Sequence, residues 1–305
     1  MKYFIDKFNK FELTLDSNTR WIIGNKLLSI LKGPITILLL VSILSKDDQG
    51  VWYTFTNLSA ISIMADLGFL LLITQYVSHE SASLVICNDV VKGDIERLSR
   101  LRGLVQVAVK LYTIVVPIAV IILCLAGAHF FSDTHILVLW LMYSFISGLK
   151  LFASLFLHIY QGFDKVKSVQ KIQINATIIF SIAVWLSLAL GLNLWSLLIG
   201  QLFSSSYTLW RGYFNKRAFW RNLLKVQSQF AIWSYWKPQL LSLQLKYAVS
   251  WLSGFVIFNY AVPSAYKSMN PLTAGQLGVT LVLLGTLNSL SYSPIIANLP
   301  KMNML

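Results

Sequence analysis

Residues 21–43, WIIGNKLLSILKGPITILLLVSI, decide the fold. Crossing a hydrocarbon core of about 30 Å takes about 20 mostly apolar residues. This run is long enough, yet it carries Lys26, Lys32 and a Gly33-Pro34 step. Seven further stretches have comparable length and apolarity: Val51–Val77, Leu104–Ala126, Ile136–Tyr160, Ile172–Leu190, Leu194–Trp210, Leu240–Val262 and Gly275–Ile296. Eight spans predict an all-α polytopic membrane helix bundle. Composition agrees, since 56% of the 305 residues are hydrophobic and only 12% are charged, half the roughly 25% of soluble domains. Disorder is excluded by the 13% aromatic content. Two cysteines, Cys87 and Cys124, make neither a disulfide framework nor a four-ligand zinc site.

The formal charge of +13 would suggest nucleic acid in a soluble protein; here the placement of the cations matters more. Lys and Arg concentrate in alternate connections. The first 20 residues hold four, Ser78–Gly103 four, Gln161–Lys171 three, Arg211–Gln239 six, and the carboxyl-terminal tail one. The opposite connections hold only Lys46 and Lys267. Because cationic loops stay inside, both termini are predicted to be cytoplasmic, with no nucleic-acid partner. The first 20 residues are too charged for a cleavable signal peptide; Phe4, Phe8, Phe11 and Leu15 fit either one face of an interfacial helix or a short frayed arm.

A repeat is written into the chain. The stretch KLLSILKGPITILLLVSILSKDDQGVWYTF compares with KYAVSWLSGFVIFNYAVPSAYKSMNPLTAGQLGVTL, aligning Gly33 with Gly254 and Gly50 with Gly275 at offsets of 221 and 225. The second copy follows a basic linker, where a boundary between two six-helix halves would fall, and parallel repeats of six are one transporter plan. The expected organisation is a first six-helix lobe over 1–210, a basic cytoplasmic linker over 211–239, and the first two helices of a second, incomplete lobe over 240–305.

Two stretches carry a family resemblance. Residues 49–80, QGVWYTFTNLSAISIMADLGFLLLITQYVSHE, and residues 273–303, TAGQLGVTLVLLGTLNSLSYSPIIANLPKMN, resemble the second and eighth helices of Wzx-type O-antigen and capsule flippases of the multidrug/oligosaccharidyl-lipid/polysaccharide exporter superfamily. The resemblance implies a two-lobed transporter of twelve or more helices in the bacterial inner membrane. Its implied cargo is an undecaprenyl-diphosphate-linked sugar unit, and its partners are membrane lipid and other polysaccharide-assembly membrane proteins. Against that pattern the chain reads as truncated near helix eight, which predicts inactivity as a lone monomer.

No motif for covalent, hydrolytic or nucleotide-driven chemistry is present, and no cofactor or metal is expected. His79-Glu80 lacks the second His of a zinc helix and reads as an interfacial pair. Charge inside the spans is the informative signal: Lys26, Lys32, Asp66, Lys110, Lys150 and Lys246. A central charge costs about 2.5–3.5 kcal/mol even on insertion scales, so these groups should face water or one another. Lys26, Lys110 and Lys246 could equally snorkel to the headgroups. For the deeper Lys32 and Lys150 a cavity role is favoured, as cations for a diphosphate. Asp66 reads either as an ion-coupling site or as a partner for those lysines, and Gly33-Pro34 as a hinge. Most tryptophans read as belt anchors. Two other functions fit less well: an ion-coupled multidrug exporter, whose cationic drugs the lysines would repel, and a membrane polysaccharide polymerase or ligase, which needs a large outer loop with catalytic Arg or His.

Overall fold

The computed structural model describes residues 17–87, 89–224, 248–250 and 252–302. Along the chain these form α1 (Ser17–Ile43), α2 (Lys46–Leu58), α3 (Ala60–Ala65), α4 (Phe69–Ser81), β1 (Leu84–Cys87), β2 (Val90–Gly93), α5 (Ile95–Phe130), α6 (Thr134–Gly162), α7 (Val166–Ala189), α8 (Trp195–Gly212), a 3-10 turn (Phe214–Lys216) and α9 (Arg217–Leu224). After the linker come α10 (Ala248–Phe258), α11 (Ala261–Ser268) and α12 (Pro271–Met302). Among the described residues four helices are long and apolar enough to cross a membrane: Arg20–Ile43, Ile95–Phe130, Thr134–Gly162 and Val166–Ala189. Counting α10 and α11, bent by 48°, as one span makes five. The chain is a multi-pass helical membrane protein. Its outward apolar side chains fit lipid rather than water as their solvent, with Leu38 70%, Leu125 67% and Phe145 67% exposed.

The predicted single span Val51–Val77 is broken into α2, α3 and α4. Two local chemistries break it. Thr56, Asn57 and Ser59 turn their side chains onto carbonyls of the preceding turn, at 2.8–3.2 Å, competing with the helix ladder. Ten residues on, Leu67 and Gly68 take left-handed φ angles of 48° and 77°, while the Asp66 carboxylate accepts from the Leu70 amide at 3.1 Å. The apolar run is continuous in hydropathy but not in backbone.

The predicted charged loop Ser78–Gly103 is structured. The antiparallel β1–β2 hairpin pairs Leu84 with Gly93 and Cys87 with Val90, and α5 begins at Ile95, well before the apolar run predicted from Leu104. The hairpin docks on α9, with the Val91 amide donating to Asn222 Oδ1 at 3.4 Å and Lys216 Nζ meeting Asp89 Oδ1 at 3.0 Å. Below it the buried Glu80 accepts from Arg100 Nε at 3.1 Å, and Arg100 also reaches Glu96 at 2.8 Å. His79 beside it is exposed.

Two cores stack along the bundle. Near the hairpin end, Phe69, Leu101, Tyr112, Phe156, Phe219 and Trp220 pack together. At the opposite end, where the turns are short, Leu40, Trp52, Phe55, Phe131 and Trp140 pack with Val262, Ala265 and Ala274. Trp52, Trp140 and Trp220 are therefore core residues rather than belt anchors, at 4%, 0% and 1% exposed. Trp140 also donates from Nε1 to the Leu123 carbonyl at 2.7 Å. Trp195 and Trp210, at the two ends of α8, are exposed as a belt requires.

Candidate functional site

Four helices turn a polar stripe toward one cavity of about 370 Å³. From α1 come Asn25, Ser29 and Lys32; from α6, Lys150 and Ser154; from α7, Gln173, Thr177 and Phe180; from α8, Gln201, Ser204, Ser205 and Thr208. Each set repeats at three- or four-residue steps, the spacing that keeps residues on one helical face. All the lining comes from residues 25–208, within the expected first lobe.

Lys32 and Lys150 thus line one cavity. Lys32 Nζ sits 5.3 Å from the centroid of the Phe180 ring, an attraction of about 0.5–2 kcal/mol that partly compensates for lost hydration. Among the described residues neither lysine has a carboxylate within ion-pair distance. Gln201 and Ser205 are buried in the wall, and among the described residues the Ser205 hydroxyl has no hydrogen-bond partner. Two cations, several hydroxyls and amides, and no acid line the cavity.

Gly33-Pro34 lies next to Lys32, and α1 continues through it. The helix is tied to α7 on both sides of the step. Asn25 Nδ2 donates to Gln170 and Gln173 at 2.8 and 3.3 Å, while Trp185 Nε1 donates to Thr36 Oγ1 at 3.1 Å. Thr36 in turn donates to the Lys32 carbonyl at 2.9 Å.

The other intramembrane charges lie elsewhere. Lys26 and Lys110 are exposed on their helices and outside the lining of this cavity. Lys246 falls outside the described residues. Asp66 sits in the break between α3 and α4, buried, and its carboxylate bonds the Tyr112 hydroxyl and the Leu70 amide rather than Lys32 or Lys150. Sequence reasoning missed the α8 stripe, although Gln201, Ser204, Ser205 and Thr208 at helical spacing in an apolar helix are a legible sign. It also missed His158, whose Nδ1 meets Thr74 Oγ1 at 3.1 Å between α6 and α4.

The fold is a helical membrane bundle with a cationic, hydroxyl-lined cavity among its helices. Residues 15–274 match the model of the polysaccharide biosynthesis protein family, and the chain belongs to that family. Membership ties it to polysaccharide synthesis or export. No curated protein and no solved structure matches it.

Proposed function

We propose that this protein is a Wzx-type flippase that moves an undecaprenyl-diphosphate-linked oligosaccharide across the bacterial inner membrane by alternating access, rather than an enzyme. The observation that carries the reading is the pairing of Lys32 and Lys150 in one acid-free cavity whose other walls are hydroxyls and amides. A diphosphate needs cations, and a sugar needs dense hydrogen-bonding groups that tolerate many hydroxyl patterns. In this reading eight spans leave both termini in the cytoplasm, and Gly33-Pro34 lets the inner part of α1 swing. The ties between α1 and α7 hold one arrangement, and the close packing of α2 on α12 holds the short-turn end shut.

The test is export in a flippase-null strain. Lys32→Ala with Lys150→Ala abolishes surface polysaccharide at unchanged protein level, and Lys26→Ala with Lys110→Ala does not. Unchanged polysaccharide in the first double variant overturns the site.

A further inference from the structure

A second cavity, of about 290 Å³, opens at the hairpin end between α6, α7 and α8. Lys171, Arg211 and Lys216 line it together with Tyr207, Asn175 and Asn215, and no acid does. It shares Leu157 with the Lys32–Lys150 cavity, and is otherwise built from different residues.

The geometry points to a binding site for the phosphate of a lipid headgroup. Among the described residues Arg211 Nε is buried and has no acceptor, a state that is destabilising unless a ligand supplies one. Tyr207 Oη accepts from Asn175 Nδ2 at 3.0 Å, which leaves its proton to donate. Lys216 is satisfied by Asp89 at 3.0 Å. Lys171 is held over the Trp21 ring at 4.9 Å, a contact that fixes its stem while leaving ammonium protons to donate. Arg211, Lys171 and Tyr207 therefore offer donors around one small space, the pattern that recognises a tetrahedral oxyanion rather than a neutral group.

The aromatic neighbours of the pocket point to a lipid rather than free phosphate as the source. Trp210, 53% exposed, carries the Arg211 guanidinium 5.7 Å from its ring. With Trp21 it marks an aromatic belt, the level at which headgroup phosphates lie. Basic pockets between spans at this level take anionic headgroups. The inference is independent of the cargo, because any phosphate-bearing lipid meets the same donors.

The full chain in dodecyl maltoside, which carries no phosphate, would be mixed with phosphatidylglycerol, undecaprenyl phosphate, diacylglycerol or inorganic phosphate. Retained lipid would be read by native mass spectrometry. Both phosphate lipids are retained over diacylglycerol, and inorganic phosphate competes with them. Arg211→Gln with Lys171→Gln lowers retention about tenfold, as loss of charged hydrogen bonds requires. Arg217→Gln, an exposed cation on the same segment, leaves phosphatidylglycerol retention unchanged, and because phosphatidylglycerol is not the proposed cargo, failure here is separable from failure of the export reading. A preference between the two lipids names the source, and either preference upholds the site. Equal retention in the Arg211/Lys171 variant, or none over diacylglycerol, overturns it.

Discussion

Gly50 on α2 and Gly275 on α12 meet backbone to backbone. A Cβ on Gly275 would lie 3.2 Å from the Gly50 nitrogen and 3.4 Å from the Lys46 carbonyl oxygen, and one on Gly50 would overlap the Pro271 carbonyl. One helix turn along, a Cβ on Gly278 would run into the Tyr53 ring. The two glycines that the sequence comparison aligns are thus contact partners at the short-turn end.

The contact is asymmetric, and that sets the first expectation. Gly50→Ala drives a methyl into backbone and costs about 1–3 kcal/mol, the usual price of overpacking. Gly275→Ala meets atoms that need move only a few tenths of an ångström, and helix propensity favours Ala by about 1 kcal/mol, so it is near neutral. Thermal unfolding in detergent ranks the two; a Gly275→Ala variant less stable than Gly50→Ala contradicts the packing described.

Ser205 separates binding from stability. Its buried hydroxyl is 2% exposed and, among the described residues, unpartnered, so Ser205→Ala removes an unsatisfied group and holds or raises the melting temperature. If the cavity binds a hydroxyl-rich cargo, the same variant lowers polysaccharide export several-fold. Undiminished export would show that the α8 stripe is not used.

Long apolar helices were legible because apolar length is a one-dimensional property, and α6 and α8 begin and end within two residues of their predicted bounds. The break at Asp66 was not, because hydropathy averages over the Asp66-Leu67-Gly68 turn that a residue-by-residue reading of turn chemistry would have flagged. The lysines show the same limit. Lys26 and Lys32 are six residues apart on one helix, yet only Lys32 lines the cavity with Lys150, and what separates them is the position of α6 and α7. Gly50 and Gly275 align in the sequence, whereas their mutual contact needed three dimensions.

Glu80 anchors the hairpin end. Its carboxylate is buried against Arg100 Nε at 3.1 Å, so Glu80→Ala removes the buried, charge-assisted hydrogen bond while Arg100 keeps Glu96, and lowers stability by about 1.5–3 kcal/mol. Glu96, 61% exposed on its side chain, is the weaker partner of the same arginine, and Glu96→Ala costs under about 1 kcal/mol. Chemical unfolding of both variants checks the ratio; equal losses would mean that burial of Glu80 contributes nothing.

The Lys216–Asp89 pair should respond to alkali rather than to acid within the neutral range. Burial pulls the Lys216 ammonium down, but the hydrogen bond with Asp89 and the charges of Tyr160 and Asp89 outweigh burial and the repulsion of Arg211, raising it above its ordinary 10.5. A lysine raised on folding contributes stability that is fully present below its unfolded value and is lost as pH climbs through the folded one. Both partners are about one-third exposed, at 32% and 39%, so the contribution is under about 1 kcal/mol. Asp89→Asn removes the charge and keeps the left-handed turn conformation at φ 58°, which Asn tolerates. Wild type should therefore melt slightly above Asp89→Asn by a constant margin from pH 7 to about pH 10, and the margin should close at higher pH. A margin unchanged beyond that point would show that the hairpin is held by Val91 and Asn222 alone.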